Sequence, residues 1–135
     1  MSRRALITGI SGQDGSYLAE LLLDKGYEVH GLVRGDGERR FERLDGIQDR
    51  LQLHSADLLD EGSLFDVIRE SAPDEVYNLA AMSSVSESWR QAIATAEYTA
   101  VGVTRQLEAI RDVSPDARLY QASSSEMFGR ARETP

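Results

Sequence analysis

One local pattern limits the possible folds more than any other. Residues 5–8 are a short run of mainly apolar type, and it stops at Thr8-Gly9-Ile10-Ser11-Gly12-Gln13-Asp14-Gly15. Leu18, Leu21 and Leu22 follow at helical spacing, and Gly26 stands where a helix commonly ends. A buried strand, a glycine-rich turn and a helix in that order make the opening of a βαβ unit. Gly9 permits the tight turn, Gly12 lets the backbone approach a pyrophosphate, and Gly15 lets the helix pack closely. N–H groups at the helix start, aided by the helix dipole, then face the phosphates of a dinucleotide.

The rest of the chain continues the alternation. Residues 27–33 read as a second strand, and residues 35–50, with three glycines and mixed charge, read as a loop with one short helix near Phe41 and Leu44. Residues 51–54 read as a third strand. Asp60 caps a helix with Leu64, Val67 and Ile68 turned inward, and Pro73 ends it. Residues 76–80 read as a fourth strand. A long helix carries Ala96, Ala100, Val103, Leu107 and Ile110 at helical period, Pro115 closes the connection, and residues 119–122 read as a fifth strand. This predicts an α/β fold, a doubly wound parallel Rossmann sheet of about five strands in the order 3-2-1-4-5.

Composition narrows the function. At 135 residues the chain is one domain in size. There is no cysteine, so thiolate metal sites, disulfides and thiol nucleophiles are excluded. No apolar run approaches the length that spans a bilayer, no secretory leader is evident, and a cytoplasmic location is expected. The net charge of −8 disfavours nucleic acid as a partner but leaves room for a small anion held by backbone N–H groups and a few arginines.

Cofactor choice is read at the end of the second strand, where Arg34 suits the 2′-phosphate of NADP(H); Asp36 comes two residues later. Arg39, Arg40 and Arg43 add positive potential, diluted by Glu38 and Glu42. Asp57-Leu58 lies where an adenine would sit, although Asp before a helix is often only a cap. Asn78-Leu79-Ala80-Ala81 offers small residues either for a cofactor running along the strand ends or for tight packing. Ser123-Ser124-Ser125-Glu126 either points into the same crevice or is a polar loop with a capping serine. His30 and His54 read as separate structural histidines, not metal ligands, and Trp89 reads as a packing residue.

The glycine spacing is G-x-x-G-x-x-G, which resembles that of extended short-chain dehydrogenases/reductases acting on nucleotide sugars. More specifically, residues 5–22, 26–34, 73–81 and the block Tyr120-Gln121-Ala122-Ser123-Ser124-Ser125-Glu126-Met127-Phe128-Gly129 resemble GDP-mannose 4,6-dehydratases. The resemblance covers nearly the whole chain and is weakest in residues 35–50. It implies an internal redox dehydration of GDP-mannose: a hydride leaves C4 of the mannosyl ring for NADP⁺, a carboxylate removes the C5 proton, the C6 hydroxyl leaves as water, and the hydride returns to C6. By position it implies Glu126 as C5 base and C6 acid and Ser124 as the partner of the C4 oxygen. It also implies Gly9, Ser11, Gly12, Gln13, Asp14, Gly15, Arg34, Asp57, Leu58, Leu79, Ala80, Ala81 and Ser83 as cofactor contacts, and a homo-oligomer. Two departures stand out. The family's tyrosine–lysine pair is absent, since Leu21, Gly31, Ala81, Gly102 and Ser124 stand four residues after the five tyrosines. Ala94 occupies a position that is often aromatic. Residues 1–135 are therefore expected to be the NADP-binding domain of a longer enzyme, lacking its substrate domain and inactive alone.

Overall fold

The computed structural model describes residues 2–35 and 40–133. Its ordered elements are β1 (Arg4–Thr8), α1 (Gln13–Asp24), β2 (Glu28–Val33), β3 (Gln52–Ser55), α2 (Glu61–Ser71), β4 (Glu75–Asn78), α3 (Val85–Arg90), α4 (Ala92–Ala96), α5 (Gly102–Val113) and β5 (Arg118–Gln121). The five strands are parallel and lie in the order β3-β2-β1-β4-β5, as the alternation predicts.

Strand geometry explains the two cores. Successive side chains leave a strand on opposite faces. Ala5, Ile7, Val29 and Val33 therefore meet Ile10, Ala19, Leu22 and Leu44 on the α1 side. Leu6, Leu32 and Val76 meet Leu64, Val67, Ile68, Ala109 and Ile110 beneath α2 and α5. Leu64 and Ile68 are each 1% exposed, and burial of such a side chain contributes roughly 1.5–3 kcal/mol. Asp60 caps α2 by accepting from the Ser63 N–H, as expected. After α1, the Gly26 N–H donates to the Leu23 carbonyl and the Tyr27 N–H to the Leu22 carbonyl. This paired closure needs the left-handed conformation that Gly26 adopts, with φ 82°.

Several local expectations are corrected. In α1 the inward residues are Gly15, Ser16, Ala19 and Leu22, while Leu21 is 52% exposed. The helical region after residue 91 is not one regular helix. A five-residue π turn, Glu97–Val101, separates α4 from α5 and shifts the inward face by about one residue. Gly102, Gln106, Ala109 and Ile110 are buried, whereas Ala96, Ala100 and Leu107 face outward. The loop near Phe41 holds two short 3₁₀ turns, Glu42–Leu44 and Gln48–Arg50, and Leu44 is fully buried. β4 ends at Asn78, two residues early. Trp89 is 84% exposed, not the buried packing residue expected.

The two histidines are not apart. They occupy the same face of neighbouring strands, and their rings stack at 5.2 Å with His30 Nδ1 2.9 Å from His54 Nε2. Only the pairing of β2 with β3 creates this contact, so nothing in their sequence separation announces it.

Candidate dinucleotide site

The site forms where the strand order reverses, at the carboxyl ends of β1 and β4. There a cleft of about 480 Å³ opens beside the glycine turn. Gly9 has φ 72°, and a Cβ there would stand 2.9 Å from the Ala80 nitrogen. The turn is thus pressed against the chain leaving β4. A Cβ on Gly15 would come within 2.3 Å of the Gly9 carbonyl oxygen, so the first turn of α1 can lie directly on the loop only with glycine there. Gly12 stands at the N-cap of α1 with no side-chain cap bond, and Gln13, Asp14 and Gly15 of the first turn line the cleft, where helix-start N–H groups are free to bind an anion.

A row of polar side chains holds this edge together. Thr8 Oγ1 contacts Asn78 Oδ1, the Asn78 amide donates to Gln121 Oε1 at 2.7 Å, and the Ala80 N–H donates to Thr8 Oγ1 at 3.2 Å. β1, β4 and β5 are thereby tied together just below the cleft floor, and both Thr8 and Asn78 are 1% exposed.

Nearly all the residues singled out for cofactor contact meet here. Gly9, Ser11, Gly12, Gln13, Asp14, Gly15, Arg34, Leu58, Leu79, Ala80, Ala81 and Ser83 line the cleft. Asp57 stands behind it: its carboxylate accepts from the Leu59 N–H at 2.9 Å and from the Tyr98 hydroxyl at 3.3 Å. Arg34 projects from the end of β2 and, together with Ser11, Arg40 and Arg43, also borders a smaller hollow. Arg40 is paired with Asp49 at 2.8 Å. Asp36, Glu38 and Arg39 lie outside the described residues.

A second cleft, about 610 Å³, adjoins the first and shares Ala80, Ala81, Met82, Ser83 and Ala122 with it. Ser123 and Ser124 line its far wall. The Ser124 hydroxyl accepts from the Glu126 N–H at 3.2 Å, capping a 3₁₀ turn, Ser125–Phe128. Glu126 is exposed on that turn. Sequence reasoning missed Tyr98, which lines the first cleft, and Thr95 and Thr99, which line the second. An aromatic residue inside a helical segment carries no motif. Its cleft position depends on the π turn. Among the described residues no group of three or more His, Asp or Glu is arranged to hold a metal, and no helix is long and apolar enough to cross a membrane.

A doubly wound parallel sheet with a glycine turn at its switch point defines a Rossmann-type, nicotinamide-dinucleotide class of domain. Within that class the chain belongs to the GDP-mannose 4,6 dehydratase family, whose model matches residues 6–135. It is 47% identical over 144 residues to a GDP-mannose 4,6-dehydratase of Vibrio cholerae, covering 100% of this chain and 39% of that protein. It is 44% identical to the GDP-mannose 4,6 dehydratase of Homo sapiens, covering 97% of this chain and 38% of that one. The chain thus spans about two-fifths of the length of these relatives. Among solved structures, a Thermus thermophilus UDP-glucose 4-epimerase in complex with NAD is 31% identical, with a TM-score of 0.70, covering 82% of this chain and 34% of that one. A UDP-glucose-4-epimerase from Stenotrophomonas maltophila, with 23% identity over 98% of this chain and 40% of that one, shares the fold at a TM-score of 0.85.

Proposed function

We propose that the chain supplies the NADP(H) site and part of the active site for dehydration of GDP-mannose to GDP-4-keto-6-deoxymannose. The observation that carries the cofactor reading is the placement of Arg34. It stands at the end of β2, on the same cleft as the uncapped start of α1. The α1 N–H groups would hold the pyrophosphate, Arg34 the 2′-phosphate, and Leu58 and Leu79 the apolar faces of the adenosine. The cofactor's part in the chemistry is to accept a hydride and return it.

The second cleft would take the sugar. Ser124 lines its wall, where its hydroxyl can hydrogen-bond the C4 oxygen. Glu126, one 3₁₀ turn away, would take the C5 proton and deliver a proton to the departing C6 hydroxyl. The base for the C4 hydroxyl is the family's tyrosine, which has no counterpart in these residues, so the chain alone is expected to be inactive. Val85, Trp89 and Ile93, exposed apolar side chains on α3 and α4, support a homo-oligomer.

Calorimetric titration tests the cofactor assignment. NADPH should bind at least about tenfold more tightly than NADH, roughly 1.4 kcal/mol, and Arg34→Ala should remove most of that difference. Equal affinities in the unaltered chain would overturn the assignment.

A further inference from the structure

Arg34 does not stand free at the mouth of the cleft. Its guanidinium carbon lies 5.4 Å from the centre of the Tyr98 ring, and its Nη1 donates to the Tyr98 oxygen at 3.4 Å. The Tyr98 hydroxyl in turn donates to Asp57 Oδ2 at 3.3 Å, while Asp57 Oδ1 is held by the Leu59 N–H. The π turn that carries Tyr98 is itself anchored. Arg105 bonds Glu97 at 3.1 Å and donates to the Leu58 carbonyl at 3.3 Å, drawing this segment onto the Asp57–Leu58 turn. Among the described residues no carboxylate pairs with Arg34, so its charge is oriented by an aromatic face and a neutral hydroxyl rather than cancelled.

We propose that Tyr98 is a positioning residue for recognition of a nucleotide 2′-phosphate, holding the Arg34 guanidinium in place while Asp57 holds Tyr98. The proposal rests on the reading of the cleft as an NADP(H) site. An exposed arginine must give up much of its rotamer freedom to bind phosphate in a fixed geometry. A stacked and hydrogen-bonded arginine has given it up before the ligand arrives. The carboxylate of this cluster, Asp57, is one step removed from the cation. Asp57 acts on the ring, and the ring acts on the cation. Selectivity for the phosphate therefore resides in a three-residue relay drawn from the end of β2, the turn after β3 and the π turn, rather than in Arg34 alone.

Two small probes differing only by the relevant group test this. The chain is titrated with adenosine 2′,5′-bisphosphate and with adenosine 5′-monophosphate, and the ratio of their affinities is the readout. A general loss of adenosine binding cancels in that ratio. Tyr98→Ala should lower the ratio about three- to tenfold, the scale of a lost cation–π contact with its hydrogen bond. Tyr98→Phe, which keeps the stack, should recover most of it. In the Arg34→Ala background, Tyr98→Ala should lower the ratio no further. If Tyr98→Ala disturbs folding by circular dichroism, Tyr98→Leu takes its place. A ratio unchanged by loss of the ring, or lowered equally with and without Arg34, overturns the proposal while leaving the cofactor reading intact. A wild-type chain with no preference between the probes overturns that reading and the proposal together.

Discussion

Gln106 sits on the buried face of α5 beside Ala109 and Ile110, is 1% exposed, and has an amide whose nitrogen and oxygen meet no partner among the described residues. Leaving an amide unpaired in apolar surroundings costs about 1–3 kcal/mol on mutational scales. Gln106→Leu replaces it with an apolar side chain of similar volume, so the variant should be more stable by about that amount. Urea unfolding would show a raised midpoint at unchanged slope. Gln106→Ala removes the same polar atoms but leaves a cavity, and should gain less or lose. At this scale the sequence was most informative about backbone chemistry. Gly9, Gly12 and Gly15 are legible because their spacing reflects turn geometry that few other residues permit. Tyr98 was illegible because its role depends on two partners, 41 and 64 residues away in the chain.

Between β2, β3 and α2 runs a line of four titratable side chains. Glu28 bonds His30 Nε2 at 3.1 Å, His30 meets His54, and His54 Nδ1 lies 3.4 Å from Glu70 of α2. Burial pushes His30 below its ordinary value of 6.5. The hydrogen bond to Glu28 opposes that shift, and the neighbouring His54 adds to it. The folded chain therefore binds fewer protons at His30 than the unfolded chain does. The stability this group contributes is complete above about pH 6.5 and is lost as pH falls through that value toward the lower folded one. Urea midpoints measured between pH 7.5 and 5.5 should decline, and the decline should be shallower in His30→Gln, which removes the titrating ring. Elements themselves were read well where punctuation is strong. The Asp60 cap, Pro73 and the alternation of strands and helices yielded the sheet order. Ile110 lies inward as the periodicity predicts, but Ala96, Ala100 and Leu107 do not, because periodicity assumes a constant 3.6 residues per turn and the π turn at Glu97–Val101 breaks it. In α1 Leu22 is buried and Leu18 packs on the core as expected, and only Leu21 departs, for a different reason. Close contact with the turn favours small residues, so Gly15, Ser16 and Ala19 lie inward and Leu21 outward.

For the molecule as a whole, a ligand that binds only the folded state shifts the unfolding equilibrium. NADPH at about a hundredfold over its dissociation constant should add roughly 2.7 kcal/mol. For a chain of this size the melting temperature should rise on the order of 10 °C, and less with Arg34→Ala. Differential scanning fluorimetry with and without NADPH checks it. A melting temperature indifferent to saturating NADPH would count against the cleft as a binding site. The two clefts also share a floor, Ala80 to Ser83 and Ala122, with no side chain larger than that of Met82 between them. Guests seated in both would then be neighbours along that strip. A reaction between two such guests would need no diffusive encounter, and each would help set the other's fit.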